Sequence, residues 1–250
     1  MEKVTVQKLR ITNYELRKLV MLTAYDHPFA QILDEAGVDI VLVGDSLGNV
    51  ALGYKNTLPV TMAEMTIHTK AVARGVKRAL LVADLPFGSY QENDEKAVAN
   101  AIKLVKAGAE AVKLEGAGYL SAIKKIITAG IPVMGHLGFT PQSVNALGYH
   151  IQGKSKKEKV KILEEAKKLE AAGCFALVLE LIPEELAAKI TKAVKIPTIG
   201  IGAGSQTDGQ VLVTSDLLGL YEDPPSFVKP KLGLRKLILG SLKEYVAETQ

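Results

Sequence analysis

The sequence predicts a single (β/α)8 barrel, or TIM barrel, an α/β fold in which eight parallel strands are each followed by a helix. Short apolar runs alternate along the chain with stretches whose apolar residues have helical spacing, and this alternation is typical of βα units. An Ala-Gly pair ends several helical stretches just before the next apolar run, as a left-handed glycine cap does. The length of 250 residues is that of one such barrel. We therefore expect residues 1–250 to form one catalytic domain with a short N-terminal lead.

The first half of the chain supplies four βα units after a polar lead, residues 1–14. The second strand is the clearest, because Ile40–Val43 is uninterrupted aliphatic sequence that stops at Gly-Asp-Ser, as expected of a strand buried on both faces. Thr61 and Glu64 form a capping-box pattern, which predicts that a helix begins there. The predicted strands are 18–24, 40–43, 79–83 and 111–115, and the predicted helices are 29–36, 61–74, 94–106 and 121–128.

The second half continues the alternation but becomes less regular toward its end. Pro183 followed by two glutamates is typical of a helix start. Ala-Gly pairs end the helices before strands two, four, five and six, at 36–37, 107–108, 129–130 and 172–173. The predicted strands are 132–136, 176–180, 198–202 and 209–213, and the predicted helices are 156–172, 183–194 and 232–246. Residues 47–59 and 138–153 are predicted to be loops.

Composition excludes several classes of function. The 31 Lys and Arg residues nearly balance the 27 Asp and Glu residues, and the chain has few aromatic residues and no Trp, so we expect no nucleic-acid partner. No apolar run approaches the roughly 18 residues of a membrane span, and the N-terminus lacks the apolar region of a signal peptide. The single cysteine, Cys174, cannot form an internal disulfide, and its apolar setting predicts a buried, inert thiol. These features predict a soluble, cytoplasmic protein.

Polar side chains follow most of the predicted strands where each strand ends. They are Asp45, Ser46, Asp84, Lys113, Glu115, His136 and Glu180. In a barrel these ends meet at one face, where several acids repel one another unless a cation neutralises them. An oxygen-rich set without cysteine and with one candidate histidine suits Mg²⁺ or a similar hard cation. Any one of these acids alone is also typical of a turn cap, so the whole set carries the argument. Lys113 requires an anionic partner, either Glu115 or a substrate carboxylate.

Six blocks of this sequence resemble the ketopantoate hydroxymethyltransferase family, in the same order along nearly the whole chain. They are LVGDSLG at 42–48, TLPVT at 57–61, ADLPF at 83–87, VKLEG at 112–116, GHLGFTPQS at 135–143, and IGIGAG at 199–204 with DGQ at 208–210. The chain departs from the family pattern at 147–154, where the family often has a second glycine before the tyrosine and an arginine after the last glycine.

The resemblance implies a TIM-barrel enzyme that transfers a one-carbon unit from 5,10-methylenetetrahydrofolate to α-ketoisovalerate, giving ketopantoate for coenzyme A synthesis. It implies that Asp45 and Asp84 hold Mg²⁺, with Glu115 in or beside the metal shell. Asp45, Ser46, Asp84 and Lys113 would bind the ketoacid, and Glu180 would remove a proton to give a Mg²⁺-stabilised enolate.

Three further expectations accompany this assignment. His136 is kept as a supporting residue, because it is the one histidine at a predicted strand end. The family resemblance implies a homo-oligomer, commonly a decamer. The alternative function is a Mg²⁺-dependent lyase or phosphomutase that acts on a related α-ketoacid in a similar barrel.

Overall fold

The computed structural model describes residues 2–11 and 17–250. The chain separates into two compact units, one that ends at Val211 and one that runs from Leu212 to Gln250. The expectation of a single domain over residues 1–250 stays a prediction. Residues 1 and 12–14 of the predicted lead lie outside the described residues.

The first unit contains a closed barrel in which each strand pairs in parallel with the next, and the predicted (β/α)8 class is confirmed. The strands are β1 Leu19–Thr23, β2 Ile40–Val43, β3 Leu80–Asp84, β4 Ala111–Lys113, β5 Val133–Gly138, β6 Ala176–Glu180, β7 Thr198–Ile201 and β8 Gly209–Leu212. The helices are α1 Val6–Ile11, α2 His27–Glu35, α3 Leu47–Val50, α4 Met62–Ala73, α5 Asp94–Lys106, α6 Leu120–Thr128, α7 Val144–Leu147, α8 Lys156–Ala171, α9 Glu184–Ala193, α10 Thr214–Leu218 and α11 Leu234–Thr249.

The predicted helix caps are present. The Thr61 hydroxyl accepts the Glu64 N–H, and the Glu64 carboxylate accepts the Thr61 N–H at 2.7 Å, so two unpaired donors of the first turn are satisfied. The four Ala-Gly glycines have φ between +82° and +111°: Gly37, Gly108, Gly130 and Gly173. This left-handed conformation ends each helix and turns the chain toward the next strand.

The structure contains short helices that the sequence patterns did not predict. The predicted loop 47–59 begins with α3, and the predicted loop 138–153 contains a 3₁₀ turn, Pro141–Ser143, followed by α7. The lead contains α1, and α10 follows β8. Elements of one or two turns are too short to show a helical hydrophobic period, which needs a window of about 11–18 residues.

Apolar side chains pack in two layers about the strands. β2 is buried throughout, and Ile40 and Leu42 belong to one cluster while Val41 and Val43 belong to the other. This split follows from the alternation of side chains across a strand, and it confirms that β2 is buried on both faces. Cys174 is buried in the layer that includes the helices, and burial raises the pKa of its thiol to about 12, which agrees with the predicted inert thiol.

The second unit contains α10 and α11. Gly219 ends α10 at φ +69°, and the Lys231 N–H donates to the Leu217 carbonyl at 2.7 Å. Helix α11 has no buried residue, and it exposes the apolar side chains of Leu237, Ile238, Leu239, Leu242, Tyr245 and Val246. Among the residues that the structure describes, no helix has the length and apolar content needed to span a membrane.

Candidate active site

The seven predicted site residues lie at or just beyond the carboxyl ends of five neighbouring strands. We call this end of the barrel the carboxyl face. Asp45 and Ser46 follow β2, Asp84 ends β3, Lys113 ends β4 with Glu115 two residues beyond, His136 lies in β5, and Glu180 ends β6. Parallel strands in a closed barrel bring these ends together. The prediction that these side chains share one face of the barrel is confirmed.

Asp45, Asp84 and Lys113 form the inner part of this face, and all three are buried. Asp84 and Lys113 are register partners in β3 and β4, and Lys113 Nζ lies 2.8 Å from Asp84 Oδ1. The other Asp84 oxygen, Oδ2, accepts the backbone N–H of Asp45 at 3.0 Å. Within the protein, the carboxylate paired with Lys113 is therefore Asp84, and not Glu115 as one of the two expectations had it.

The inner cluster holds more negative than positive charge. Burial raises the pKa of Asp45 well above its usual range, and the nearby Asp84 and Glu115 carboxylates raise it further. Burial also raises the pKa of Asp84, although the Lys113 ammonium opposes this shift. For Lys113 burial acts to lower the pKa, but the three carboxylates outweigh it and the pKa is raised. A further cation placed here would be stabilised by the same charges.

A second group joins β4, β5 and β6 through His136. Its Nδ1 lies 3.5 Å from Glu115 Oε1, and its Nε2 lies 3.2 Å from Glu180 Oε2. Burial and Lys113 act to lower the pKa of His136, but the two glutamates outweigh them and raise it to about 9. The ring of His136 therefore lies between the two glutamates, of which Glu180 is the more exposed, but neither ring nitrogen is aligned for a hydrogen bond with the described residues.

Sequence reasoning missed Gln142, which lies at the centre of the polar network. Gln142 is in the 3₁₀ turn after β5, where no period marks it as buried, although its side chain is only 5% exposed. Its Nε2 donates to Asp45 Oδ2 at 2.8 Å, and its backbone N–H donates to Glu115 Oε2 at 3.0 Å. The only signal in the sequence was its position, six residues after His136 within one of the blocks that carry the family resemblance.

Two tyrosines extend the network and were also missed. The Tyr90 hydroxyl lies 2.8 Å from Gln142 Oε1 and accepts the Glu115 N–H at 3.2 Å. The Tyr25 hydroxyl lies 2.8 Å from Ser46 Oγ, and this pair is only partly buried. Ser46 thus remains partly accessible at the carboxyl face, with its hydroxyl held by Tyr25, two residues beyond β1.

The residues present fit Mg²⁺. The buried oxygen Glu115 Oε1 receives no hydrogen bond from the described residues, Asp84 Oδ1 contacts the Lys113 ammonium at 2.8 Å, and the donor set consists of carboxylates, as Mg²⁺ requires. Within residues 2–11 and 17–250, no three acidic, histidine or cysteine side chains are close enough to enclose a metal ion by themselves. This is compatible with Mg²⁺, which usually takes one or two carboxylates and fills its other positions with water and substrate oxygens.

The backbone around Glu180 is unusual. Leu181 is the only described non-glycine residue with positive φ, at +45°, a conformation that costs a non-glycine residue on the order of 1–2 kcal/mol. The preceding residue, Glu180, pairs with Gly138 of β5, which has φ +96°. A Cβ on Gly138 would lie 2.1 Å from the Glu180 carbonyl oxygen, so only glycine fits there. That carbonyl accepts the Phe139 N–H at 2.8 Å. The turn after β5 therefore fixes the end of β6.

Nearly the whole chain is similar to one family of proteins. Residues 3–250 match the model of a family described as ketopantoate hydroxymethyltransferase. Over 253 residues the chain is 53% identical to the 3-methyl-2-oxobutanoate hydroxymethyltransferase of Thermoanaerobacter sp. (strain X514), with 100% of this chain and 92% of that protein covered. Identity to the protein of that name from Ignicoccus hospitalis is 51%, with 100% and 96% covered. A phosphonopyruvate hydrolase solved with oxalate and Mg²⁺ has a similar fold, with TM-score 0.65, 14% identity, and 99% and 87% covered.

Proposed function

The chain belongs to the ketopantoate hydroxymethyltransferase family, and on that premise we propose that it transfers a one-carbon unit from 5,10-methylenetetrahydrofolate to 3-methyl-2-oxobutanoate, giving 2-dehydropantoate. The observation that carries the proposal is the division of the carboxyl face into two parts. Three buried carboxylates and one ammonium lie at the ends of β2 to β4, with Lys113 Nζ 2.8 Å from Asp84, while Glu180 ends β6 with Oε2 3.2 Å from His136 Nε2. One part suits binding of a ketoacid, and the other suits removal of a proton.

The ketoacid would bind at Asp45, Ser46, Asp84 and Lys113. Lys113 is positively charged and buried, so it offsets the substrate carboxylate in a setting where that interaction is strong. The Ser46 hydroxyl, oriented by Tyr25, can donate a hydrogen bond to a substrate oxygen. These contacts fix the orientation of the substrate before any bond changes, which is a large part of catalysis.

Asp45 and Asp84 would hold Mg²⁺, with Glu115 as a ligand or as an acceptor for one of its waters. When bound, Mg²⁺ would act as a Lewis acid for the negative charge that develops on the keto oxygen. The solved phosphonopyruvate hydrolase of similar fold is a complex with oxalate and Mg²⁺, which supports this choice of metal.

Glu180 would be the general base that takes the proton from C3 of the ketoacid. Its side chain is less buried than that of His136, so substrate can reach it from the open side of the face. His136 Nε2, 3.2 Å from Glu180 Oε2, would hold the carboxylate that acts as the base. After proton transfer the C3 electrons form the new C–C bond to the folate methylene carbon. The two C–N bonds of that methylene carbon break, and one water is consumed overall. The water oxygen becomes the new hydroxyl group, and the C3 proton and one water proton go to the two nitrogens of the departing tetrahydrofolate.

The reaction can be tested in two stages. With 3-methyl-2-oxobutanoate in D₂O, proton NMR should show exchange at C3 that depends on Mg²⁺ and stops when the metal is chelated. 2-Dehydropantoate should form only when methylenetetrahydrofolate is added. Absence of this product with both substrates present would contradict the proposal. Turnover of a phosphonate or a larger ketoacid instead would favour the alternative, a Mg²⁺-dependent phosphomutase or lyase.

The proposal includes assembly into a homo-oligomer, and the family resemblance leads us to expect a decamer. Support comes from α11, whose exposed apolar side chains form the kind of surface that association commonly buries. Light scattering of the purified chain gives its mass directly. A mass of one chain, about 26.8 kDa, at micromolar concentration would contradict this part of the proposal.

A further inference from the structure

We propose that Gln142 is a positioning residue that holds the Asp45 carboxylate in the orientation in which it binds the metal. The inference rests on the proposed function, because it takes Asp45 to be a Mg²⁺ ligand. Gln142 itself would touch neither the metal nor the substrate. Its effect would be transmitted through one hydrogen bond, from Nε2 to Asp45 Oδ2 at 2.8 Å.

The orientation of the Gln142 amide is fixed by its partners. Nε2 also donates to the Leu85 carbonyl at 3.0 Å, and because a carbonyl can only accept, the NH₂ group must face Leu85 and Asp45. On the other side, Oε1 accepts hydrogen bonds from Tyr90 Oη at 2.8 Å and Gln91 Nε2 at 3.1 Å. These four bonds use both donors and both lone pairs of the amide, so the side chain cannot turn without breaking several of them.

The backbone of Gln142 adds a second and separate contact. Its N–H donates to Glu115 Oε2 at 3.0 Å, and the residue sits in a 3₁₀ turn that begins at Pro141 and closes with a bond from Ser143 N–H to Thr140. One residue thus connects the carboxylates that follow β2 and β4. A side-chain substitution leaves the backbone bond to Glu115 possible, so the contact with Asp45 can be tested alone.

Hydrogen bonds of this kind orient metal ligands, and their removal typically weakens metal binding or activity about 10–100-fold. A purely structural role predicts something different. If Gln142 only anchored its turn to Tyr90 and Leu85, its loss would lower the unfolding temperature without selectively changing the affinity of Asp45 for a cation.

The test is titration of the substrate-free protein with Mn²⁺, followed by electron paramagnetic resonance. Gln142→Met should raise the Mn²⁺ dissociation constant about tenfold or more. The matched control is Gln91→Met, the same substitution in the same network but one bond farther from Asp45, and it should change the constant by less than about threefold. Circular dichroism checks that each variant is folded, and Gln142→Asn, one methylene shorter, serves if the methionine variant does not fold.

A double-mutant cycle decides whether the effect passes through Asp45. In an Asp45→Asn background, Gln142→Met should change the dissociation constant by less than about twofold, because the group that it positions is gone. Equal affinities of wild type and folded Gln142→Met would overturn the inference while leaving the proposed function intact. An additive effect in the double variant would overturn it as well. If wild type does not bind Mn²⁺, or Asp45→Asn binds it equally well, the metal assignment itself fails.

Discussion

Asp39 and Asp45 flank the same strand, β2, and their surroundings differ in a way that separates stability from function. Asp39, before the strand, accepts hydrogen bonds from the guanidinium groups of Arg17 and Arg78 and from the Val20 N–H. Asp45, after the strand, accepts one side-chain hydrogen bond, from Gln142, and burial beside two other carboxylates raises its pKa. Asp39 is therefore paired with two cations, whereas Asp45 is repelled by two neighbouring carboxylates.

The same contrast holds for the two faces of the barrel. On the amino face, Asp34 accepts the N–H groups of Lys77, Arg78 and Ala79. On the carboxyl face, Asp84 shares one buried ammonium, Lys113, with two other carboxylates, and Glu115 Oε1 receives no hydrogen bond from the described residues. The amino face of such barrels commonly serves stability and the carboxyl face serves chemistry. Buried acids that are incompletely paired are therefore found on the face where the chemistry of such barrels takes place.

The largest expected effect is loss of the base on the carboxyl face. Glu180→Gln should lower Mg²⁺-dependent exchange at C3 by about 10²–10⁴-fold, because the amide cannot accept the proton. Mn²⁺ affinity should stay near that of wild type, since Glu180 is not a proposed metal ligand. Glu185→Gln is the matched control, because Glu185 is exposed and pairs with Lys159 at 2.7 Å. If Glu180→Gln retains wild-type exchange, Glu180 is not the base.

Alanine substitutions at Gly138 and Gly130 test whether an added methyl group destabilises the protein more at the carboxyl face than at the end of α6. In Gly138→Ala the new methyl group would overlap the Glu180 carbonyl oxygen, and the alanine backbone would have to keep a positive φ. We therefore expect a loss of about 3–4 kcal/mol in the free energy of unfolding. Gly130→Ala also has positive φ but meets no atom within 4 Å, and it should cost only about 1–2 kcal/mol. Urea unfolding measures both. Equal losses would mean that the backbone conformation alone, and not the contact with β6, sets the cost.

Substitution by Asn should change the free energy of unfolding differently at the two aspartates that flank β2. Asp39→Asn leaves Arg78 and Arg17 without their anion and should cost about 2–3 kcal/mol, less than a fully buried pair because Arg17 is 56% exposed. Asp45→Asn removes a repelled charge and should leave the metal-free protein within about 1 kcal/mol of wild type, or above it. Thermal unfolding in chelator tests this, and a larger loss for Asp45→Asn would reverse the comparison.

The smallest effect is a difference in acid sensitivity. Burial would raise the pKa of Asp34, but its three backbone N–H donors outweigh burial and lower it. Its contribution to stability is therefore present above the unfolded pKa of about 3.9 and is lost as pH falls through the lower native value. Asp34→Asn should therefore reduce the loss of stability at acid pH.

The raised pKa of Asp45 has the opposite effect on stability. Stability should fall as pH rises above about 4, the unfolded pKa, toward the higher native pKa, and Asp45→Asn should remove this fall. Urea unfolding of the metal-free variants from acid to neutral pH measures both slopes.

The sequence predicted seven strands as apolar runs with a glycine or an acid at or just after their ends, together with a less regular eighth at 209–213, and the strand ends then located the site residues. It could not predict that Asp39 is paired and Asp45 is not, because pairing depends on Arg17, Arg78 and Gln142 reaching them across the fold. Gln142 was missed for the same reason. A polar residue in an irregular segment has no period, and only tertiary contacts show that it is buried.

The single cysteine has a practical consequence for spectroscopy. Cys174 is 1% exposed and its thiol has a pKa of about 12, so it stays unionised and unreactive toward alkylating dyes at neutral pH. A cysteine introduced at an exposed position, such as Tyr149 at the carboxyl face, becomes the only site that a maleimide fluorophore labels. The natural chain thus serves directly as the background for fluorescence measurements of motion in the loop after β5, without prior removal of its own thiol.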